Sequence, residues 1–333
     1  MNLFVVPLES YDVRYTEQWN RWFPDALRAA GITYKYLSVE DSYSNSTLEG
    51  AVLNPIYTNR CRSWQIDRLL NAFEQEEIKD GDVIFFHTLW FPGLEALAYV
   101  RDVLRIDFRI VGVLHAGSYD PWDFRAQLDM DRWSAPLETS WLTITDRIIV
   151  ASEFHKSMVI PTRNVDPTKL YVTGLPFKSA ELREGRESLI MNKRDLIAYP
   201  HRNVPEKNPD IVNQLRSRFG NGSVIVTRDL CSSKAEYLDL LATCKICISD
   251  SHQETWGYSM LEATALGCIP IVPDRLCYRD MYPERYRFSS KEELLSHVNK
   301  GLNGDFGPLN DLENLITWAD SSMSRIISVV TSW

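Results

Sequence analysis

The sequence predicts an α/β protein of two doubly wound domains, and three observations carry that reading. Its 333 residues are 44% hydrophobic and 24% charged, enough chain for two ordinary cores at roughly 150 residues each. Short β-rich runs alternate with helix-period segments, the pattern of a parallel sheet covered by helices. That alternation stops at a charged stretch, Lys178–Arg194, and then starts again.

The first series of runs comprises Asn2–Pro7, Thr33–Val39, Asp82–His87, Arg109–His115, Arg147–Ala151 and Leu170–Thr173, each leading into a polar turn. The second comprises Asp195–Tyr199, Ser223–Thr227, Lys245–Ser249 and Cys268–Val272, with amphipathic segments Asn208–Phe219, Lys234–Thr243 and Trp256–Leu266 between them. The expected organisation is a first domain over residues 1–175, a second over 176–310 and a C-terminal helix over 311–333. Leu312, Leu315, Ile316, Ile326, Ile327 and Val330 give that last helix an apolar side suited to packing back on the first domain. There is no repeat of 20–50 residues, which sets solenoids and propellers aside. In open α/β sheets ligands sit outside the carboxyl ends of the strands, so two such domains facing each other predict a cleft between them.

A formal net charge of -9 repels polyanions and opposes non-specific nucleic-acid binding. Six cysteines, without a basic n-region or signal-like apolar stretch at the start, read as reduced thiols in a cytoplasmic protein. The apolar runs are too short to span a bilayer.

The most informative stretch is 249–274, SDSHQETWGYSMLEATALGCIPIVPD. Glu254 and Glu262 are separated by seven residues, with Trp256, Gly257, Tyr258 and Ser259 at the predicted start of a helix between them. Backbone amides and the positive end of the helix dipole there suit a phosphate, and Gly257 lets it approach closely. Glu262, a turn into the helix, can accept two hydroxyl hydrogen bonds, as a ribose requires. Upstream, Arg202 and Lys207 occupy the loop after a predicted strand, from which side chains reach the crevice and can hold a departing diphosphate without a metal.

These residues resemble the retaining GT-B glycosyltransferases that share the glycogen-synthase-like (group 1) second domain. The likeness is carried by Glu254, Glu262, Ala263, Gly267, Pro270, Ile271 and Val272, and by Arg202 and Lys207 in AYPHRNVPEKNPDI. It covers roughly residues 195–275, and the first domain by architecture only. The resemblance implies two Rossmann-like domains across a cleft. It also implies that Glu254 holds sugar hydroxyls, that Gly257, Tyr258 and Ser259 offer amides to donor sugar or phosphate, and that Glu262 binds ribose. Two departures stand out: the turn after the first run lacks glycine, and the second domain is one strand–helix unit short between Thr227 and Lys245.

In the first half, His115 ends an apolar run before Ala116 and Gly117, the place where the resembled family carries a cleft histidine near the donor sugar. His87 ends another run, with a purely structural reading favoured. Glu9, Asp12, Arg14 and Asp120 crowd the expected cleft mouth as acceptor contacts, and Trp90 and Trp122 follow strand ends where a ring can stack on a sugar or a base. No carboxylate base is demanded, because in a front-face retaining reaction the leaving phosphate oxygen can take the acceptor proton.

Rival chemistry is weaker. Asp129 and Asp131 have the spacing of a metal site that must close a strand, yet Phe124–Leu128 reads as helix. Cys244 and Cys247 have zinc or redox spacing but enter a buried run, where cysteine acts as a small apolar residue. The expectation is therefore a metal-independent hexosyltransferase that takes a nucleoside-diphosphate-sugar and glycosylates a glycan or small molecule. Two alternatives remain open. One is glycosylation of hydroxylated bases in phage-type DNA, using Arg14, Arg21, Arg60, Arg62 and Arg68 as a basic surface, and the other is a non-catalytic nucleotide-sugar binder.

Overall fold

The computed structural model describes residues 1–9, 15–38 and 54–333. The chain divides into two compact units. One is Met1–Val150 with Lys156–Thr173 and Met323–Trp333, and the other is Ala151–His155 with Gly174–Ser322.

The first unit holds a parallel sheet of six described strands: β1 (Leu3–Val6), β2 (Tyr34–Tyr36), β3 (Val83–Phe86), β4 (Arg109–Val113), β5 (Arg147–Val150) and β6 (Leu170–Val172). Their order is β2-β1-β3-β4-β5-β6. Every residue of β1 and β3 is buried, as a parallel sheet with helices on both faces requires. The helix Tyr15–Ala29 contributes Trp19, Trp22, Phe23 and Leu27, all buried and spaced to share one face. Helix Pro55–Glu74 starts cleanly because Asn54 accepts hydrogen bonds from the Ile56 and Tyr57 amides, with proline at the first helical position.

The second unit carries β7 (Arg194–Tyr199), β8 (Val224–Val226), β9 (Cys244–Ile248), β10 (Ile269–Pro273) and β11 (Arg287–Phe288), all parallel, in the order β11-β10-β9-β7-β8. β11 has two residues, too few to leave a periodic signal in the sequence. Two capping boxes open helices here. Ser233 bonds the Glu236 amide while Glu236 returns to Ser232, and Ser290 bonds the Glu293 amide while Glu293 returns to Ser289.

In each sheet the order reverses once, at β1/β3 and at β7/β9. Loops leaving adjacent strands on opposite sides open a crevice at such a point. The sequence cannot show this, because strand order is a tertiary property.

The single helix expected over 311–333 is instead a 3-10 turn at Asn310–Leu312 and two helices, Glu313–Asp320 and Ser322–Thr331. Met323–Trp333 groups with the first unit, whereas residues 311–322 group with the second. Local bonds explain the last part: Arg147 donates to the Val329 carbonyl at 2.7 Å and stacks 3.7 Å from the Trp333 ring centroid, while Arg325 caps the Thr173 carbonyl. Cys244 and Cys247 lie buried in β9, three positions apart and so on opposite faces of the strand. Among the described residues no helix is long and apolar enough to cross a membrane.

Candidate active site

The loop after β7 is built to present Lys207. Pro205 starts a 3-10 turn, Pro205–Lys207, and Asn208 ends it in the left-handed region at φ 51°, which asparagine tolerates better than most side chains. Tyr199, the last residue of β7, donates its hydroxyl to the Lys207 carbonyl at 2.8 Å. The Asn208 amide donates to Asp250 at 2.7 Å, and Arg275 holds the same carboxylate from the β10 side. The turn is thus fastened at both ends.

The loop after β9 is laced to it. His252 donates its backbone amide to the Glu206 carbonyl at 2.8 Å. Lys207 Nζ donates to the Gln253 carbonyl at 2.6 Å and to Glu254 Oε2 at 3.1 Å. Lys207 and Glu254 therefore meet at the β7/β9 switch point, with side chains only 13% and 19% exposed. Burial alone would push the Glu254 carboxyl up, but the Lys207 ammonium and the Gly257 amide hold it below the usual carboxylate range.

Gly257 sits immediately before helix Tyr258–Ala265 at φ 73°. A Cβ there would lie 2.9 Å from Tyr278 Cε1 and 3.6 Å from Glu254 Cγ, so glycine is required by both conformation and space. Tyr258 donates its hydroxyl to the Pro176 carbonyl at 2.9 Å. The backbone amides of Tyr258 and Ser259 belong to the first turn of that helix. Ser259 is partly buried beside Tyr237.

Glu262 lies inside the same helix and is buried, ion-paired to Lys234 at 2.5 Å. The sequence reading left Lys234 without a role, though a lysine at the start of a capped helix is a charge with a fixed position. Arg202 is not brought to Glu254: its guanidinium is 43% exposed and reaches Glu206 at 3.3 Å. The reading also passed over His201, beside Arg202, which is buried against Tyr199 with ring centroids 5.3 Å apart. Its place two residues beyond the end of a strand was the available signal.

At the first unit's switch point the residues are more locked than the sequence implies. Glu9 is buried, 3.9 Å from Arg62 Nε. Burial of Arg62 removes it from the basic surface read from Arg21, Arg60 and Arg68, while Arg14 and Asp12 lie outside the described residues. Trp90 carries the guanidinium groups of both Arg62 and Arg125 over its ring, at 5.5 and 5.2 Å from the centroid. Asp120 is buried and accepts the Trp122 amide at 2.9 Å, whereas the Trp122 side chain is 38% exposed. His115 donates from Nε2 to the His87 carbonyl at 2.7 Å and lies near Tyr15 and Trp19. Burial holds its ring neutral, with the value pulled down to about 4.

This double sheet with its two switch points can be set beside known proteins. Residues 25–174 match Glycosyltransferase Family 4. The catalytic domain of starch synthase IV from Arabidopsis thaliana, bound to ADP and acarbose, superposes at TM-score 0.64 with 12% identity, over 99% of this chain and 98% of its own. Anabaena HepE in complex with UDP and glucose superposes at TM-score 0.56 with 11% identity, over 98% of this chain and 96% of its own. The fold is that of the GT-B glycosyltransferases, with two Rossmann-like units. A stretch of 94 residues, 28% of the chain, is 32% identical to the tRNA-queuosine alpha-mannosyltransferase of Drosophila melanogaster and spans 23% of that protein's length.

Proposed function

We propose that this chain is a retaining glycosyltransferase that moves a hexose from a nucleoside-diphosphate-sugar, held on the unit containing Gly174–Ser322, to an acceptor hydroxyl. The observation that carries the proposal is the meeting of Lys207 and Glu254 at the β7/β9 switch point, beside the helix that Gly257 opens. A cation there can stabilise the charge that grows on a diphosphate as the sugar leaves, an effect worth about 10²–10³ in rate for a well-placed group. Helix amides add to it, and Arg202, exposed and paired with Glu206 at the surface, is the second cation given to the diphosphate. On this reading the reaction is metal-independent. Glu254 exchanges its hold on Lys207 for hydroxyls of the sugar, Glu262 takes the ribose, and the leaving phosphate oxygen accepts the acceptor's proton. Structures of the same fold bind ADP and UDP, which supports the donor class.

The acceptor is read as a glycan or small molecule meeting Glu9, Asp120, Trp90 and Trp122. A nucleoside within RNA is the second reading, favoured by the activity named for the Drosophila relative. The test is incubation with UDP-, ADP- and GDP-sugars and release of nucleoside diphosphate, with the product's anomeric configuration read by NMR. Lys207→Ala should lower turnover more than about ten-fold. Near-normal turnover in that variant would remove the role given to Lys207, and tight donor binding without release would make the protein a binder.

A further inference from the structure

We propose that His201 is a ligand of the bound donor's diphosphate, a contact that neither the sequence pattern nor the comparisons assign and that rests on the nucleotide-sugar reading above. His201 stands two residues beyond the end of β7, at the switch point, and is 3% exposed. Its Nε2 has no hydrogen-bond partner among the described residues, although it is buried. The side chains around it are engaged: Lys207 with Glu254, Asn208 with Asp250, Tyr199 with the Lys207 carbonyl. A second buried nitrogen, Gln253 Nε2, is also unpaired, on the residue whose carbonyl receives the Lys207 ammonium. Buried polar atoms are paired in the great majority of folded proteins, so unpaired nitrogens on His201 and on Gln253, whose carbonyl takes the Lys207 ammonium, are donors that an acceptor-rich group would satisfy.

The charges facing His201 define that group. Lys207, Arg228 and Arg202 are cationic, Glu254 opposes them, and Glu206 is paired with Arg202. The field there favours an anion and disfavours a second cation. Burial, reinforced by Lys207, pulls the imidazole down to about 3 and keeps it neutral. A neutral ring carries one N–H, which can donate to a phosphate oxygen without placing another charge in the interior. Its position is fixed by the edge-on contact with Tyr199, whose own hydroxyl is tied to the lysine turn.

Side-chain reach makes the idea testable on the full chain. His201→Gln keeps a nitrogen near the place of Nε2, His201→Asn reaches only to the place of Nδ1, and His201→Phe keeps the ring shape without a nitrogen. Calorimetric titration with UDP, ADP and GDP should find at least one that binds the unaltered protein. That nucleotide should bind the Phe and Asn variants about ten-fold or more weakly and the Gln variant within about three-fold of normal. The Asn variant keeps the comparison open if the Phe variant fails to fold. Equal affinity in all four proteins would show that water, not ligand, satisfies the ring, and equal loss in all three variants would assign the effect to packing; either overturns the contact. If the unaltered protein binds none of the three nucleotides, the donor-site reading itself falls, separately from His201.

Discussion

Replacing Lys207 by Met tests the contact on which the site is built. Its ammonium is 3.1 Å from a Glu254 oxygen in a place where neither side chain is more than a fifth exposed. Removing one partner of a buried pair costs about 3–5 kcal/mol, because the other charge stays desolvated, and the residual exposure of Glu254 argues for the lower end, about 3 kcal/mol. For a unit of this size that is a fall of about 6–12 °C in Tm. The pH dependence is diagnostic. In the unaltered protein Glu254 titrates below its ordinary value, so the stability it contributes is present above that value and lost as the pH falls through the folded one. Without the ammonium, burial prevails and the carboxyl titrates above its ordinary value. The variant's deficit is then full at about pH 8 and narrows toward about pH 5 as Glu254 takes up a proton. Thermal melts of both proteins across that range measure the deficit, and Lys207→Met combined with Glu254→Gln should recover most of it at the alkaline end. A difference below about 2 °C at pH 8, or one that does not change with pH, would refute the idea that this pair is buried and coupled.

Gly257→Ala should cost about 2–3 kcal/mol, combining a left-handed backbone with a contact to Tyr278 that cannot open because its hydroxyl is held by Ser249 at 2.9 Å; denaturant unfolding measures it, and a cost under about 0.5 kcal/mol would contradict the geometry. The rings of His87, His115 and His201 are pulled by burial to about 3, about 4 and about 3. The unfolded chain takes up protons below about 6.5, so each removes up to about 1.4 kcal/mol of stability per pH unit as the pH falls from there toward 4. Urea titrations at successive pH values should show that slope, and their replacement by Gln should flatten it. Glu262→Gln should raise KM for the nucleotide-sugar by about ten-fold with a smaller effect on kcat if the carboxylate serves ribose; a change confined to kcat would move Glu262 out of the binding role. Arg147→Ala should free the C-terminal turn, seen as faster amide exchange after Met323, because it loses both the Val329 carbonyl and the Trp333 ring.

What the sequence made legible follows from the range of the interactions involved. The ten strands read from it all form, since β-branched runs between polar turns are local signals, and the one missed among the described residues is the two-residue β11. Lys207 and Glu254 were readable as separate members of two loops, but their meeting depends on β7 lying beside β9, which no local pattern encodes. The same limit explains Glu262 and Arg202. Glu262 was legible as a carboxylate one turn into its helix, but its partner Lys234 was not, because that lysine comes from the preceding helix. Arg202 looked equivalent to Lys207, but the backbone turn that aims Lys207 inward leaves Arg202 four residues from Glu206 and half in water.

That asymmetry bears on how the site can act. A lysine already held by two oxygens in the resting protein needs little rearrangement to meet a diphosphate, so its contribution is preorganised. An exposed arginine must give up rotamer freedom when it binds, and a surface pair with Glu206 offers little to oppose that move. The two cations should therefore separate kinetically. On the proposed function, Lys207 should govern the chemical step and Arg202 should govern how firmly donor and product are retained. Arg202→Ala is then expected to raise KM for the nucleotide-sugar and speed nucleotide release, with kcat held or increased where release limits turnover. An Arg202 variant that loses kcat as deeply as Lys207→Ala, with KM unchanged, would show that the exposed guanidinium closes onto the transition state after all, and that the resting geometry understates its part in the reaction.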